Sequence, residues 1–231
     1  MKFVDWGLID YREAAKRQLD LVELVAGARS AENGASGGSS DTLVFCAHPA
    51  VVTLGRATKP EDLLGWSGET VEVSRGGRAT YHGPSQIVVY PILDMHLSRA
   101  GFRARDLHGY MRTLEQSIVE TLGEFGIASA GGVAANEGEA SRTGVWIANG
   151  DKKIASIGIA CKKWVTYHGL ALNVAHDPLA FAGIQPCGMN SSIMTSMEQA
   201  LGRAVVDRSA VIASLRRALG RLLLINRNSE A

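Results

Sequence analysis

The chain has 231 residues, and 24 lysines and arginines nearly balance 23 aspartates and glutamates for a formal charge of +1. That length can bury a full core and is read as one domain spanning residues 1–231, while the even charge excludes a polyanion binder held by bulk electrostatics, so nucleic acid is not an expected partner. No apolar run is long enough to cross a bilayer, and Met1-Lys2 leads directly into Phe3, Val4 and Asp5 without a signal peptide's apolar region. The three widely spaced cysteines, Cys46, Cys161 and Cys187, suit reduced thiols better than a disulfide framework, so a cytoplasmic location is expected.

In chain order, Asp10 with Glu13 predicts a capped helix whose apolar side carries Ala14, Ala15, Leu19, Val22 and Val25. Ala31 to Asp41, AENGASGGSSD, reads as a surface loop. Thr42 to Ala47 and Val51 to Leu54 read as strands broken by His48-Pro49, and Lys59 to Leu64 as a short helix entered at Pro60. From Val71 to Leu93 two apolar runs flank RGGRATYHGPSQ, whose adjacent Gly76 and Gly77 permit positive φ or close approach of a ligand. The competing reading of that segment is a hairpin with a Gly-rich turn and two solvated arginines.

Asp106 opens the clearest helix, with Leu107, Tyr110, Met111, Leu114, Ile118, Leu122 and Phe125 at helical spacing and Gly126 at its C-terminal end. Ala128 to Arg142, with three glycines among its residues, is long for a connection and reads either as a lid or binding loop or as a disordered segment. Trp146-Ile147 and Ile154 to Ala160 flank Asn149-Gly150 as a tight hairpin, and a further strand runs from Val165 to Val174. TYHG occurs twice, ending at Gly83 and at Gly169, without enough shared flank to make a repeat. His176 to Ala182 reads as a short helix or turn. Thr195 with Glu198 predicts another helix start, and Val211, Ile212, Leu215, Leu219 and Leu222 form one side of a final helix from Asp207 to Leu224. Strands joined by short turns and mixed with helices predict an α+β fold, a mixed β-sheet with flanking helices.

The chemistry centres on Cys187, held between Pro186 and Gly188, where a substrate can reach both the sulfur and nearby N–H groups. A thiolate nucleophile needs a cation or base beside it, and Lys152, Lys153, His82 and His168 are the candidates. The absence of G-x-S-x-G argues against a serine hydrolase, and the cysteines lack the paired spacing of a zinc site, so no metal is expected.

RGGRATYHGPSQIVVYPILD, GVWIANGDKKIASIGIACKKWVTYHGLALNV and the PCG of residues 186–188 followed by Thr195-Ser196 together resemble, in order and spacing, the lipoyl(octanoyl) transferases. Those enzymes move an octanoyl group from acyl carrier protein to lipoyl domains. With the Leu54-Gly55-Arg56 turn, the resemblance runs from about His48 to Ser196. It implies the fold of the biotin/lipoate protein ligase catalytic domain, no cofactor, a thioester on Cys187, and Lys153 as acid and base. Strand alternation sends Lys152 to the opposite face. It also implies an acyl site lined by Arg75, Gly76, Gly77, Arg78, Ala79, Thr80, Tyr81, His82 and Gly83, by Ser156, Ile157 and Gly158, and by His168, Gly169, Leu170 and Ala171.

The implied donor is octanoyl-acyl carrier protein, and the implied acceptors are lipoyl domains of 2-oxoacid dehydrogenase complexes and the glycine cleavage H protein, with lipoyl as a second transferable group. An N–H near Gly188 is the expected oxyanion donor, and Arg99, Arg103 and Arg105 are candidates for a face that meets an acidic carrier. Ser85 stands where the family usually has glycine, which puts a positive φ there in doubt. The alternatives are an ATP-dependent lipoate or biotin protein ligase, which needs no catalytic cysteine, and a non-catalytic binder of carrier or lipoyl domains, which would dispense with Cys187 and Lys153.

Overall fold

The computed structural model describes residues 1–31, 41–132, 142–147, 150–202 and 205–225. Its strands are β1 (Lys2–Leu8), β2 (Thr42–Ala47), β3 (Val51–Leu54), β4 (Glu69–Glu72), β5 (Thr80–His82), β6 (Gln86–Ile92), β7 (Ser129–Gly131), β8 (Val145–Ile147), β9 (Lys153–Lys162) and β10 (Val165–Asn173). The helices are α1 (Tyr11–Ala31), α2 (Leu107–Glu124), α3 (Met197–Leu201) and α4 (Arg208–Leu222). Seven strands form one sheet in the order β1-β2-β6-β10-β9-β8-β7, and β4-β3-β5 form a second. Among the described residues only β1 and β2 run parallel in the large sheet, as a strand-helix-strand crossover through α1 requires. This is the expected α+β arrangement, a mixed sheet with helices on its flanks.

Both faces of the large sheet are covered, which is why β2, β6 and β10 are buried along their whole length and read as continuous apolar runs. Leu43, Phe45, Ile87, Val89, Leu170 and Leu172 point to the α2 and α4 side, while Val44, Cys46, Val88, Tyr90 and Ala171 point to α1. On α2 the four-residue spacing of Tyr110, Leu114, Ile118 and Leu122 places all of them in the core. Burying each such side chain stabilises the fold by roughly 1.5–3 kcal/mol. Asp106 caps this helix by accepting from the Gly109 N–H at 2.8 Å, and Gly126 follows its end at φ 78°. Among the described residues no helix is long and apolar enough to cross a membrane.

Several expectations are corrected. β1 carries no alternating pattern because it is a largely exposed edge strand, and only its pairing with β2 makes it one. Leu19 is exposed on α1, whereas Gln18 beside it is buried because its Oε1 accepts from the His168 N–H at 2.7 Å. The Ala128 to Arg142 stretch begins with β7, which pairs with β8, while residues 133–141 lie outside the described ones, as do 32–40 and Asn149 of the expected hairpin. The cap of α3 is Ser196, paired reciprocally with Gln199, and not Thr195 with Glu198. Thr195 is held away from that role because its N–H donates to the Lys153 carbonyl at 3.0 Å.

The RGGRATYHGPSQ segment is not a hairpin turn. β4 lies parallel to β3 and β5 antiparallel to it, after which the chain leaves the small sheet for β6 in the large one. It therefore spans the seam between the two sheets, and the cleft described next opens at that seam.

Candidate active site

Cys187 sits in a single 3-10 turn, Pro186–Gly188, at φ 57° and ψ 23°, and Gly188 follows at φ 74°. Left-handed backbone is costly for a residue with a Cβ, so its surroundings must hold it. The Cys187 N–H donates to the Ala79 carbonyl at 3.2 Å, which pins the turn beside β5. Its neighbours close the turn on itself, Gly188 N–H to the Gln185 carbonyl at 3.0 Å and Met189 N–H to the Pro186 carbonyl at 3.1 Å. An N–H near Gly188 is the expected oxyanion donor, and of those at hand Gly188's own is used within the turn.

Lys153 opens β9 and is 1 % exposed. Its Nζ donates to the Thr143 carbonyl at 2.8 Å and lies 3.5 Å from the Cys187 Sγ, with the Trp146 ring 5.6 Å away. Room for this side chain comes from Gly144, at φ 123°, where a Cβ would stand 2.7 Å from the Lys153 Cε. Alternation turns Lys152 outward, where its Nζ donates to the Ser192 carbonyl at 2.7 Å.

The sulfur faces a narrow cleft of about 50 Å³ that is open to solvent on one side. Of the residues expected to line it, the structure brings Arg75, Gly77, Arg78, Thr80, His82, Ser156, Ile157, Gly158, His168, Gly169, Leu170 and Ala171 together with Cys187. Gly76, Ala79, Tyr81 and Gly83 do not line it. Gly76 ties the segment to β9 through its N–H to the Ile159 carbonyl at 3.0 Å. Alternation along β5 points Thr80 and His82 inward, while Ala79 and Tyr81 pack behind, against Val52, Phe181 and Ile184. The Tyr81 hydroxyl donates to Asp177 at 3.1 Å.

Arg75 is not a surface charge. It is buried and donates to the Gly76, Arg78 and Thr53 carbonyls at 2.9–3.0 Å and to the Thr53 hydroxyl at 2.7 Å, which fixes the shape of the cleft wall. Two polar atoms of the wall, Thr80 Oγ1 and Arg75 Nε, are buried with no hydrogen-bond partner among the described residues.

Both TYHG histidines are buried. Burial, and after it the nearby Arg75 charge, pushes His168 from 6.5 down to about 3, and His82 is also driven well down, chiefly by burial. Both are neutral at ordinary pH. The His82 Nδ1 faces the Gln86 Oε1 at 3.1 Å, and the Gln86 amide donates to the Tyr81 carbonyl and the Asn173 side chain, so the ring is held in one orientation. His168 has φ 57° inside a strand. The pairing of β10 with β6 runs from Leu170 to Asn173 and does not reach His168, whose N–H donates to the Gln18 Oε1 at 2.7 Å.

Tyr11, Val88 and Tyr90 also line the cleft and were not foreseen. Tyr90 lay within a quoted block, but nothing local marks Tyr11, whose hydroxyl lies 3.5 Å from the His168 Nδ1 across 157 residues of chain. The Tyr90 hydroxyl donates to the His48 Nε2 at 2.7 Å, since the His48 Nδ1 is committed to the Ile9 carbonyl at 2.8 Å. Ser85 is not among the positive-φ residues and lies in a separate cavity with Asn173 and Thr195.

The arginines expected to meet a carrier do not share one exposed face. Arg99 is buried, its guanidinium donating to Asp41 at 2.8 Å. Arg105 lies over Trp164 at 5.4 Å, beyond the end of β9 opposite Lys153. That strand's ten residues put the two ends roughly 30 Å apart.

Comparison with known proteins bears on this geometry. Residues 21–220 match the family described as lipoyl protein ligase A/B catalytic domain. The chain is 46 % identical over 222 residues to an octanoyltransferase of Bdellovibrio bacteriovorus, covering 94 % of this chain and 96 % of that one. It is 39 % identical over 205 residues to an octanoyltransferase of Geobacter metallireducens, covering 89 % and 85 %. Among solved structures, lipoate-protein ligase A bound with ATP superposes with a TM-score of 0.64 at 18 % identity, covering 95 % of this chain and 83 % of that one, a likeness of fold.

Proposed function

Because the chain belongs to the lipoyl protein ligase A/B catalytic-domain family and is a transferase within it, we propose that it moves an octanoyl group from octanoyl-acyl carrier protein to a lysine of a lipoyl domain, through a thioester on Cys187. The observation that carries this reading is the 3.5 Å approach of Lys153 Nζ to Cys187 Sγ at the wall of the cleft. Lipoyl groups are a second cargo, and lipoyl domains of 2-oxoacid dehydrogenase complexes and the glycine cleavage H protein are the acceptors we assign. The three free cysteines suit the reducing cytosol.

In the first step Lys153 accepts the Cys187 proton, and the ammonium formed stabilises the thiolate. The sulfur attacks the donor's carbonyl carbon. The Thr80 hydroxyl, buried and unpartnered in the cleft wall, donates to the oxygen as it gains negative charge. The carbon–sulfur bond to the carrier breaks, and the departing thiolate takes the Lys153 proton. In the second step the acceptor lysine, as free amine, attacks the acyl-enzyme. Lys153 takes the amine's proton and returns it to the leaving Cys187 sulfur, so that one thioester and one amine become one amide and one thiol.

Intact-protein mass spectrometry after incubation with octanoyl-acyl carrier protein, without ATP, tests this. The parent gains one octanoyl group that hydroxylamine removes, and Cys187→Ser gains none that hydroxylamine removes. A parent that stays unacylated, yet modifies a lipoyl domain when ATP is supplied, would instead be a ligase.

A further inference from the structure

Asp62 contacts Gln185 on one flank of the Cys187 turn directly and reaches Gly188 on the other through Arg78. It ends the 3-10 turn Pro60–Asp62 and is completely buried. Through its backbone, the Asp62 carbonyl accepts from the Gln185 N–H at 2.8 Å, just before the turn. Through its side chain, it accepts from the Arg78 Nε at 3.0 Å and from a second nitrogen of the same guanidinium. That guanidinium approaches Gly188, just after the nucleophile, so closely that a Cβ there would collide with it. The Lys59 N–H, at 3.0 Å from Asp62 Oδ2, holds the carboxylate in place from the other side.

We propose that Asp62 is a positioning residue: with Arg78 it forms a clamp that holds the left-handed Cys187 turn against β5 and keeps its sulfur on Lys153. Three features support this. The turn needs outside support, because Cys187 and Gly188 both have positive φ and only Gly188 adopts that without strain. A two-nitrogen contact to a carboxylate fixes the plane of a guanidinium, which a single hydrogen bond does not. Finally, the two turns already lie side by side through the Leu63–Ile184 bridge and the Gln185 N–H to the Asp62 carbonyl, and the side-chain link carries that contact past Cys187 to Gly188. The inference rests on Cys187 being the nucleophile, but its test does not require octanoyl chemistry.

The experiment compares the parent with Asp62→Asn, Asp62→Glu and the double variant Asp62→Leu/Arg78→Met, which removes both charges and leaves neither buried alone. Each is treated with iodoacetamide across a pH series, with alkylation at Cys187 and at buried Cys46 followed separately, and acyl-enzyme formation is timed with octanoyl-acyl carrier protein. Protection of Cys46 shows that the fold is intact; a variant that loses it is set aside and the double variant is read in its place. We expect Asp62→Asn to slow acyl-enzyme formation tenfold or more at unchanged KM for the donor, to displace the Cys187 alkylation profile, and to be partly rescued by Asp62→Glu. Folded variants that match the parent in both alkylation profile and acylation rate overturn the clamp. A parent that is never acylated removes the functional reading, while the alkylation profiles still decide the clamp.

Discussion

Lys153 Nζ stands 3.5 Å from Cys187 Sγ while donating to the Thr143 carbonyl at 2.8 Å, so its head is anchored on one side and faces the nucleophile on the other. An anchored amine exchanges protons with the sulfur without first searching for it. Lys153→Ala should therefore slow acyl-enzyme formation by about 10²–10⁴-fold, the usual range for a positioned acid-base group. Lys152→Ala, which removes only an exposed contact to the Ser192 carbonyl, should stay within about twofold of the parent. Single-turnover acylation of the two variants checks both, and equal losses would remove the special role of Lys153.

Thr80 Oγ1 has no partner among the described residues although Thr80 is 6 % exposed. An unpartnered buried hydroxyl is a standing cost unless a ligand uses it. Thr80→Val keeps the shape and removes the donor. The acylation rate should fall by about 10²–10³-fold, as when one oxyanion donor is removed, with little change in KM. A drop confined to KM would show that the hydroxyl binds the ground state only.

His168 links stability to pH. Its pKa is about 3 in the fold against an ordinary 6.5, so between those values the unfolded chain holds a proton that the folded chain refuses. Stability contributed by the neutral ring is complete above pH 6.5 and declines as pH falls toward 3, by up to about 1.4 kcal/mol per pH unit. His82 and His48, lowered mainly by burial, act in the same direction below their ordinary value. His168→Asn, which accommodates left-handed backbone, should flatten the decline by close to one proton in urea titrations run from pH 7 to pH 4. Identical slopes for parent and variant would place the acid sensitivity elsewhere.

The Arg99–Asp41 pair is 1 % exposed on each side, and Arg99 also donates to the Leu223 and Asp94 carbonyls at 3.0 Å. Removing one partner of such a pair leaves the other charge buried, at a cost of about 3–5 kcal/mol. Arg99→Ala should thus lower the urea midpoint strongly, whereas Arg103→Ala, at an exposed position, should leave it nearly unchanged. If Arg99→Ala weakened carrier binding without loss of stability, Arg99 would be the docking residue first expected.

What the sequence determined residue by residue is local, while the fold and the Lys153–Cys187 pair came from the resemblance of its three long blocks. Strands β2 and β3 end where the apolar runs end, α2 starts at the Asp106 cap, and opposite faces for Lys152 and Lys153 follow from the pleat of a strand. These features arise from a few neighbouring residues and their period. The tertiary structure alone decided that Gly188's N–H is spent inside its own turn, that Tyr11 reaches His168, that Arg99 is interior, and that Asp62 meets Gln185 through its carbonyl and Arg78 through its carboxylate. Each of those depends on where two segments far apart in the chain meet once both faces of the sheet are covered. Hydrogen-bond demand inside that packing chooses the partners, and no local period carries the information.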